Sequence, residues 1–125
     1  MRAAGRQMMG NKTLGNEGER IAREYLESRG MRFLCANYSR RHGEVDIIMQ
    51  DGKDTVFVEV KTRRSLRYGL PAEAVTPMKQ QHIRYCAEVY FAEKGFDTYY
   101  ARFDVVEILQ PPGQLPRVHH IRNAF

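Results

Sequence analysis

The chain has 125 residues, enough for one ordinary domain with a real core and too few for two. Its 42% hydrophobic and 28% charged content excludes a disordered tail, and no apolar run approaches the roughly 18 residues that would suggest a membrane span. A formal charge of +5 makes polyanions natural partners, because basic side chains gain by releasing counterions from phosphates, but charge alone names none of them.

The opening MRAAGRQMMGNKTLG is basic and lacks the apolar stretch of a secretory signal. Residues 1–12 therefore read as a flexible leader before a single domain over 13–125. Cys35 and Cys86 stand far apart in unlike contexts, which argues against a zinc site or a disulfide framework and makes the cytoplasm the default compartment.

A first helix is expected from about Asn16 to Arg29, with Ile21, Ala22, Tyr25 and Leu26 at helical spacing and Gly30 as the stop. Gly15, Gly18 and Ala22 share nearly one side, so this helix can approach a sheet closely. MRFLCANY then has the length and composition of a strand. Two more strands follow, about Glu44 to Gln50 and Thr55 to Thr62, joined by the turn signal DGKD.

Thr76 and Pro77 open a second helix that closes before Gly95, with Ile83, Cys86, Ala87 and Tyr90 as its inward stripe. DTYYARFDVVEIL reads as a further strand, QPPGQLP as a turn, and RVHHIRNAF as a short element of open type. The order αβββαβ predicts an α/β fold, a mixed central sheet with flanking helices.

The hairpin carries the chemistry. Side chains alternate along a strand, so Val56, Val58 and Val60 face one way and Phe57, Glu59 and Lys61 the other; in its partner Val45, Ile47 and Met49 oppose Glu44, Asp46 and Ile48. A turn centred on Gly52 and Lys53 sets Asp46 opposite Glu59 and Glu44 opposite Lys61, whereas one centred on Asp51 and Gly52 sets Glu44 opposite Glu59, with Asp46 diagonal to it. Either register gathers the acids and Lys61 on one patch. Carboxylates with Cβ atoms about 4.5–5.5 Å apart repel unless something positive lies between them. Lys61 is one such charge, and Mg²⁺, which accepts one or two carboxylates and keeps several waters, is another. The bland alternative is a wet charged face with Lys61 paired to Glu59 or Glu44.

Glu59-Val60-Lys61 after an apolar run, with Asp46 13 residues upstream, resembles the active-site pattern of the PD-(D/E)XK, or restriction-endonuclease-like, superfamily. More specifically, GNEGERIAREYL, GEVDIIMQDG, VFVEVKTRRS, MKQQ and RFDVV resemble, in order, the blocks of the YraN-like family of small uncharacterised bacterial proteins, related in fold to Holliday junction resolvases. The resemblance implies a restriction-endonuclease-like core and a metal-dependent nuclease. Asp46 and Glu59 would ligate Mg²⁺ or Mn²⁺, and Lys61 would orient the attacking water or stabilise transition-state charge. Val45 stands where the superfamily pattern has proline, which leaves the carboxylate in place.

Glu19 matches a first-helix glutamate that joins the metal site in resolvase-like nucleases, yet Asn16-x-x-Glu19 also reads as a capping box. Lys79 falls within the inward stripe of the second helix near its anion-binding end, where it contacts a phosphate or merely snorkels; Gln80 is its polar neighbour. Gln81 and Tyr85 have a QxxxY spacing, but Gln81 projects away from the stripe. Arg63, Arg64 and Arg67 follow Lys61 and would grip a nucleic-acid backbone, or form a solvated loop. Asp104 and Arg102 share a strand face and are expected to pair.

The expected partner is nucleic acid, with DNA, and branched DNA in particular, favoured by the resolvase resemblance. Resolvases cut as dimers, so a homodimer stays open, although no dimer face is legible. The competing reading is a non-catalytic nucleic-acid-binding or adaptor protein on a nuclease scaffold.

Overall fold

A computed structural model describes residues 10–65, 75–96 and 99–125, with side chains from residue 16 onward. The elements run α1 (Gly10–Ser28), β1 (Arg32–Arg40), β2 (Gly43–Asp51), β3 (Asp54–Arg63), α2 (Pro77–Lys94), β4 (Ala101–Leu109) and β5 (Arg117–Ile121). The five strands lie side by side in chain order, β3 and β4 parallel and the other neighbours antiparallel. A parallel pair needs a crossover, and α2 lies within it. The expected α/β class with a mixed sheet holds, and RVHHI resolves into a fifth strand on β4.

Each helix covers one face. Ala22 and Leu26 of α1 pack with Ile47, Met49, Val56, Val58, Val106 and Ile108. Ile83, Cys86, Ala87, Tyr90 and Phe91 of α2 pack with Val45, Ile48, Phe57 and Phe103 on the other. The period-2 alternation of β3 is the reason that Val56 and Val58 meet α1 while Phe57 meets α2. Gly18 presses against Thr62 so closely that a Cβ there would collide with its hydroxyl, which sets α1 tightly on β3.

Local signals position the rest. Asp51 pairs with Asp54 and Gly52 takes φ +61°, so the turn centres on Gly52 and Lys53, the first of the two registers. The Thr76 hydroxyl accepts from the Lys79 N–H at 3.1 Å with Pro77 next in line, and Gly95 at φ +72° donates to Phe91 O at 3.0 Å as a left-handed cap.

Three expectations are corrected. α1 begins at Gly10 rather than Asn16, and the leader expectation falls mainly on residues 1–9, outside the described residues. Val45 does not share a face with Ile47 and Met49 but joins Tyr38 and Ile48 under α2, so the alternation of β2 slips at Asp46. Opposite that point Asn37 of β1 has φ +54°, a left-handed residue that breaks the regular pleat. Lastly, β4 starts at Ala101; Tyr99 instead stacks on Phe91 at 4.1 Å, covering the end of α2.

Asp104 and Arg102 pair as expected. The buried Asp104 accepts from Arg102 Nε and Nη2, both at 3.0 Å, and from the Asn123 N–H at 2.9 Å, while His120 Nε2 lies 2.7 Å away. Among the described residues no helix is long and apolar enough to cross a membrane.

Candidate active site

The β2–β3 pairing runs from Asp51–Asp54 to Ile47–Val58 and ends there, although β3 stays paired with β4 as far as Arg63–Leu109. The next pair would have been Asp46 with Glu59. Instead Asp46 Oδ2 accepts the Val60 N–H at 2.8 Å, so a side-chain carboxylate takes the place of a strand carbonyl where the two strands part. The site lies in that fork. Because α2 follows β3 across the sheet, its first turn, bearing Lys79, returns to the same end.

Glu59 is 4% exposed. Its Oε2 lies 3.4 Å from Lys61 Nζ and 3.8 Å from Lys79 Nζ, whereas its Oε1 is buried with no hydrogen-bond partner. Both lysines thus converge on one oxygen and leave the other bare. A buried carboxylate oxygen without a donor forgoes on the order of 1–3 kcal/mol of hydration. Burial first, and then the Glu59 charge, push the Asp46 carboxyl up to about 7, against the pull of the Val60 N–H and Lys79. Glu19 adds to the push.

Glu19 lies well inside α1, so it cannot close a capping box with Asn16; that reading is overturned by the earlier helix start. Its carboxyl is half-buried toward the fork and raised above the usual range, mainly by burial, with the Glu44 and Glu59 charges adding and a hydrogen bond from Asn37 opposing. Asn37 is a residue that sequence reasoning missed. Its only signal was an asparagine in an otherwise strand-forming run, where asparagine is disfavoured unless the backbone turns left-handed.

Asp46, Glu59, Lys61, Glu19 and Lys79 therefore converge from four elements. Gln80 does not join them: its Nε2 donates to Val75 O at 3.1 Å and braces the entry to α2. Glu44 is not a ladder partner of Lys61, since the strands have already parted, and sits opposite Ser39 of β1. Arg63 closes β3 two residues beyond Lys61, with exposed Arg64 after it. Arg67 lies outside the described residues. Gln81 is exposed, as its place off the stripe implies, and Tyr85 meets the His42 ring at 5.3 Å.

The donor set suits a hard divalent cation bound by few protein ligands. Among the described residues no three His, Cys, Asp or Glu side chains close around a metal, so a fully enclosed cage is not what the fork provides. It provides two neighbouring carboxylates, one with a bare buried oxygen and one with its pKa driven up by burial and then by the Glu59 charge. Mg²⁺ and Mn²⁺ sites commonly take one or two carboxylates and complete the shell with water and substrate oxygen.

Comparison with known proteins bears on the same span. Residues 18–108, from the Gly18 contact through the end of the fork and α2 into β4, match the model of "Uncharacterised protein family UPF0102". The chain belongs to that family. It is 48% identical over 115 residues to a UPF0102 protein of Alkaliphilus metalliredigens, covering 92% of this chain and 99% of that one. A UPF0102 protein of Geobacter sulfurreducens is 49% identical over 115 residues, covering 92% and 90%, and one of Nocardia farcinica 44% identical over 114, covering 91% and 90%. The UPF0102 match thus includes Glu19, Asp46, Glu59, Lys61 and Lys79, every side chain that the fork gathers.

Proposed function

We propose that this UPF0102 chain is a metal-dependent nuclease of the PD-(D/E)XK type, hydrolysing phosphodiester bonds of nucleic acid, with DNA the favoured substrate. One observation carries the reading: Glu59 is buried with a bare Oε1 beside an Asp46 carboxyl pushed up to about 7. Such an arrangement is unfavourable until a cation arrives.

Asp46 and Glu59 would hold Mg²⁺ or Mn²⁺, which when bound would supply a water of lowered pKa and positive charge at the phosphate. Lys61, already aimed at the fork through Glu59 Oε2, neutralises charge that grows on the non-bridging oxygens as the P–O bond breaks. Glu19, steadied by Asn37, orients water from the α1 side. Lys79, at the N-terminal turn of α2 where anions are favoured, holds the phosphate, and Arg63 and Arg64 contact the flanking backbone. Splayed or branched DNA is the substrate that the resolvase resemblance favours.

The test is a cleavage assay with branched, single-stranded and duplex DNA and with RNA, in Mg²⁺, Mn²⁺ or chelator. The expected result is cutting only with metal, lowered on the order of 10²-fold or more in Asp46→Ala and Glu59→Ala. No cutting of any substrate, or equal cutting by the variants, overturns the assignment. The second reading, a binder on a nuclease scaffold, draws on the two lysines that already offset part of the Glu59 charge. It predicts salt-dependent binding that Asp46→Ala leaves unchanged.

A further inference from the structure

An open cleft of about 240 Å³ lies between α1 and the edge strand β1. Phe33, Ala36 and Ile47 form an apolar floor, and Asn16, Glu19 and Arg23 of α1 stand along its wall. The Arg23 guanidinium lies 3.6 Å from the centroid of the Phe33 ring, with its Nε 3.2 Å from Glu27, so a planar cation lies over an aromatic face. Glu19 borders this cleft and also acts electrostatically on Asp46. An occupant of the cleft is therefore one side chain away from the fork.

We propose that the cleft receives one unstacked nucleobase of the substrate, seated against the Phe33–Arg23 stack with its hydrogen-bonding edge toward Asn16 and Glu19, while a neighbouring phosphate lies at Asp46 and Glu59. The place of that phosphate rests on the nuclease reading; the stacking does not. A base suits the chemistry better than an aliphatic side chain would. Aromatic rings and guanidinium planes both stack on heteroaromatic faces, and the wall offers an amide that donates and accepts beside a carboxyl that accepts. Bases inside a duplex cannot reach such a cleft without leaving the stack, so the substrate class is single-stranded or locally opened nucleic acid.

The proposal is tested with the full chain in chelator, titrated into a short single-stranded DNA carrying 2-aminopurine, whose fluorescence falls on stacking. Ala36→Leu fills the cleft from an exposed strand position, and Phe33→Leu removes the ring while keeping an apolar residue. The expected result is saturable quenching by the wild type, with affinity about tenfold weaker and quenching lost in both variants, and duplex binding unchanged. Each variant is melted alongside, so a folding defect in one leaves the other to decide. Unaltered quenching in the folded variants, equal loss of duplex binding, or no binding of the single strand overturns the proposal. Cleavage by the wild type together with unaltered quenching would sink the base cleft alone; cleft-dependent quenching without metal-dependent cleavage would sink the nuclease reading alone.

Discussion

Two buried acidic centres lie in the same sheet and are treated in opposite ways. Asp104, fully buried, has each oxygen engaged: the Arg102 fork and the Asn123 N–H donate to it, and His120 lies within hydrogen-bond distance. Arg102 passes the charge on to Asp51 at 2.8 Å. The fork between β2 and β3 is the reverse. Asp46 has one backbone donor, Glu59 has two lysines on one oxygen and nothing on the other, and Glu19 adds a third carboxyl nearby. A buried charge that is fully compensated serves the fold. One left over in the midst of other acids is what the proposed metal site rests on.

The largest effect separates the two centres by stability. Asp104→Ala takes the acceptor from Arg102 Nε and Nη2, from the Asn123 N–H and from His120 together, leaving Arg102 only its Nη1 contacts to Asp51 and Asp54, and is expected to lose about 3–5 kcal/mol in chemical denaturation. Asp46→Asn, measured without metal, is expected to leave stability unchanged or higher, because it removes negative charge from a crowd. Equal losses in the two variants would erase the contrast.

The second effect is in pH dependence, where the centres have opposite signs. The Asp46 carboxyl is raised from 3.8 to about 7, so the folded state holds a proton that the unfolded chain releases. Its contribution therefore makes metal-free stability fall as pH rises from about 4 to 7. Asp104 is lowered: burial works to raise it, but His120, Arg102 and the Asn123 N–H outweigh that. Its stabilisation is present above the unfolded pKa and lost as pH falls through the folded value. Denaturation across pH 3–8 (about) should show the Asp46→Asn curve flatter than the wild type between about 4 and 7, with the acid-side loss retained.

A third effect joins the fold to the site. Gly18→Ala drives a methyl into the Thr62 hydroxyl, so Thr62 must turn or α1 must back away from β3, at a cost of about 1–3 kcal/mol, and Glu19 is disturbed with it. Denaturation and cleavage are expected to fall together. The smallest effect is a control remote from both acids: Gly95→Ala strains a left-handed cap, costs about 1 kcal/mol and leaves cleavage as it was.

What could be read in advance was what local rules govern. The DGKD turn, the Thr76–Pro77 start, the Gly95 stop and the inward stripes of both helices each depend on a few neighbouring residues. The patch of acids followed from the period of two in β3 once the turn was placed. Less legible were features set by distant contacts. No residue near Gly10 announces a helix start, and it was the longer helix that removed the capping role of Glu19. The left turn at Asn37 carries Val45 to the other face, and a strict period cannot express that. Gln80 looked free beside Lys79, but Val75 O claims it. Within RVHHIRNAF, both histidines are used by carboxylates of β4, Glu107 and Asp104, across the β4–β5 pairing.

The central claim is that the leftover charge at Asp46 and Glu59 awaits a divalent cation. Calorimetric titration of the wild type, Asp46→Asn and Glu59→Gln with Mn²⁺ near neutral pH tests it most directly. Saturable binding by the wild type is expected, with proton release that grows as pH is lowered toward the raised Asp46 value, and loss of that binding in each variant. Absence of binding in the wild type, or undiminished binding in Asp46→Asn, would contradict it.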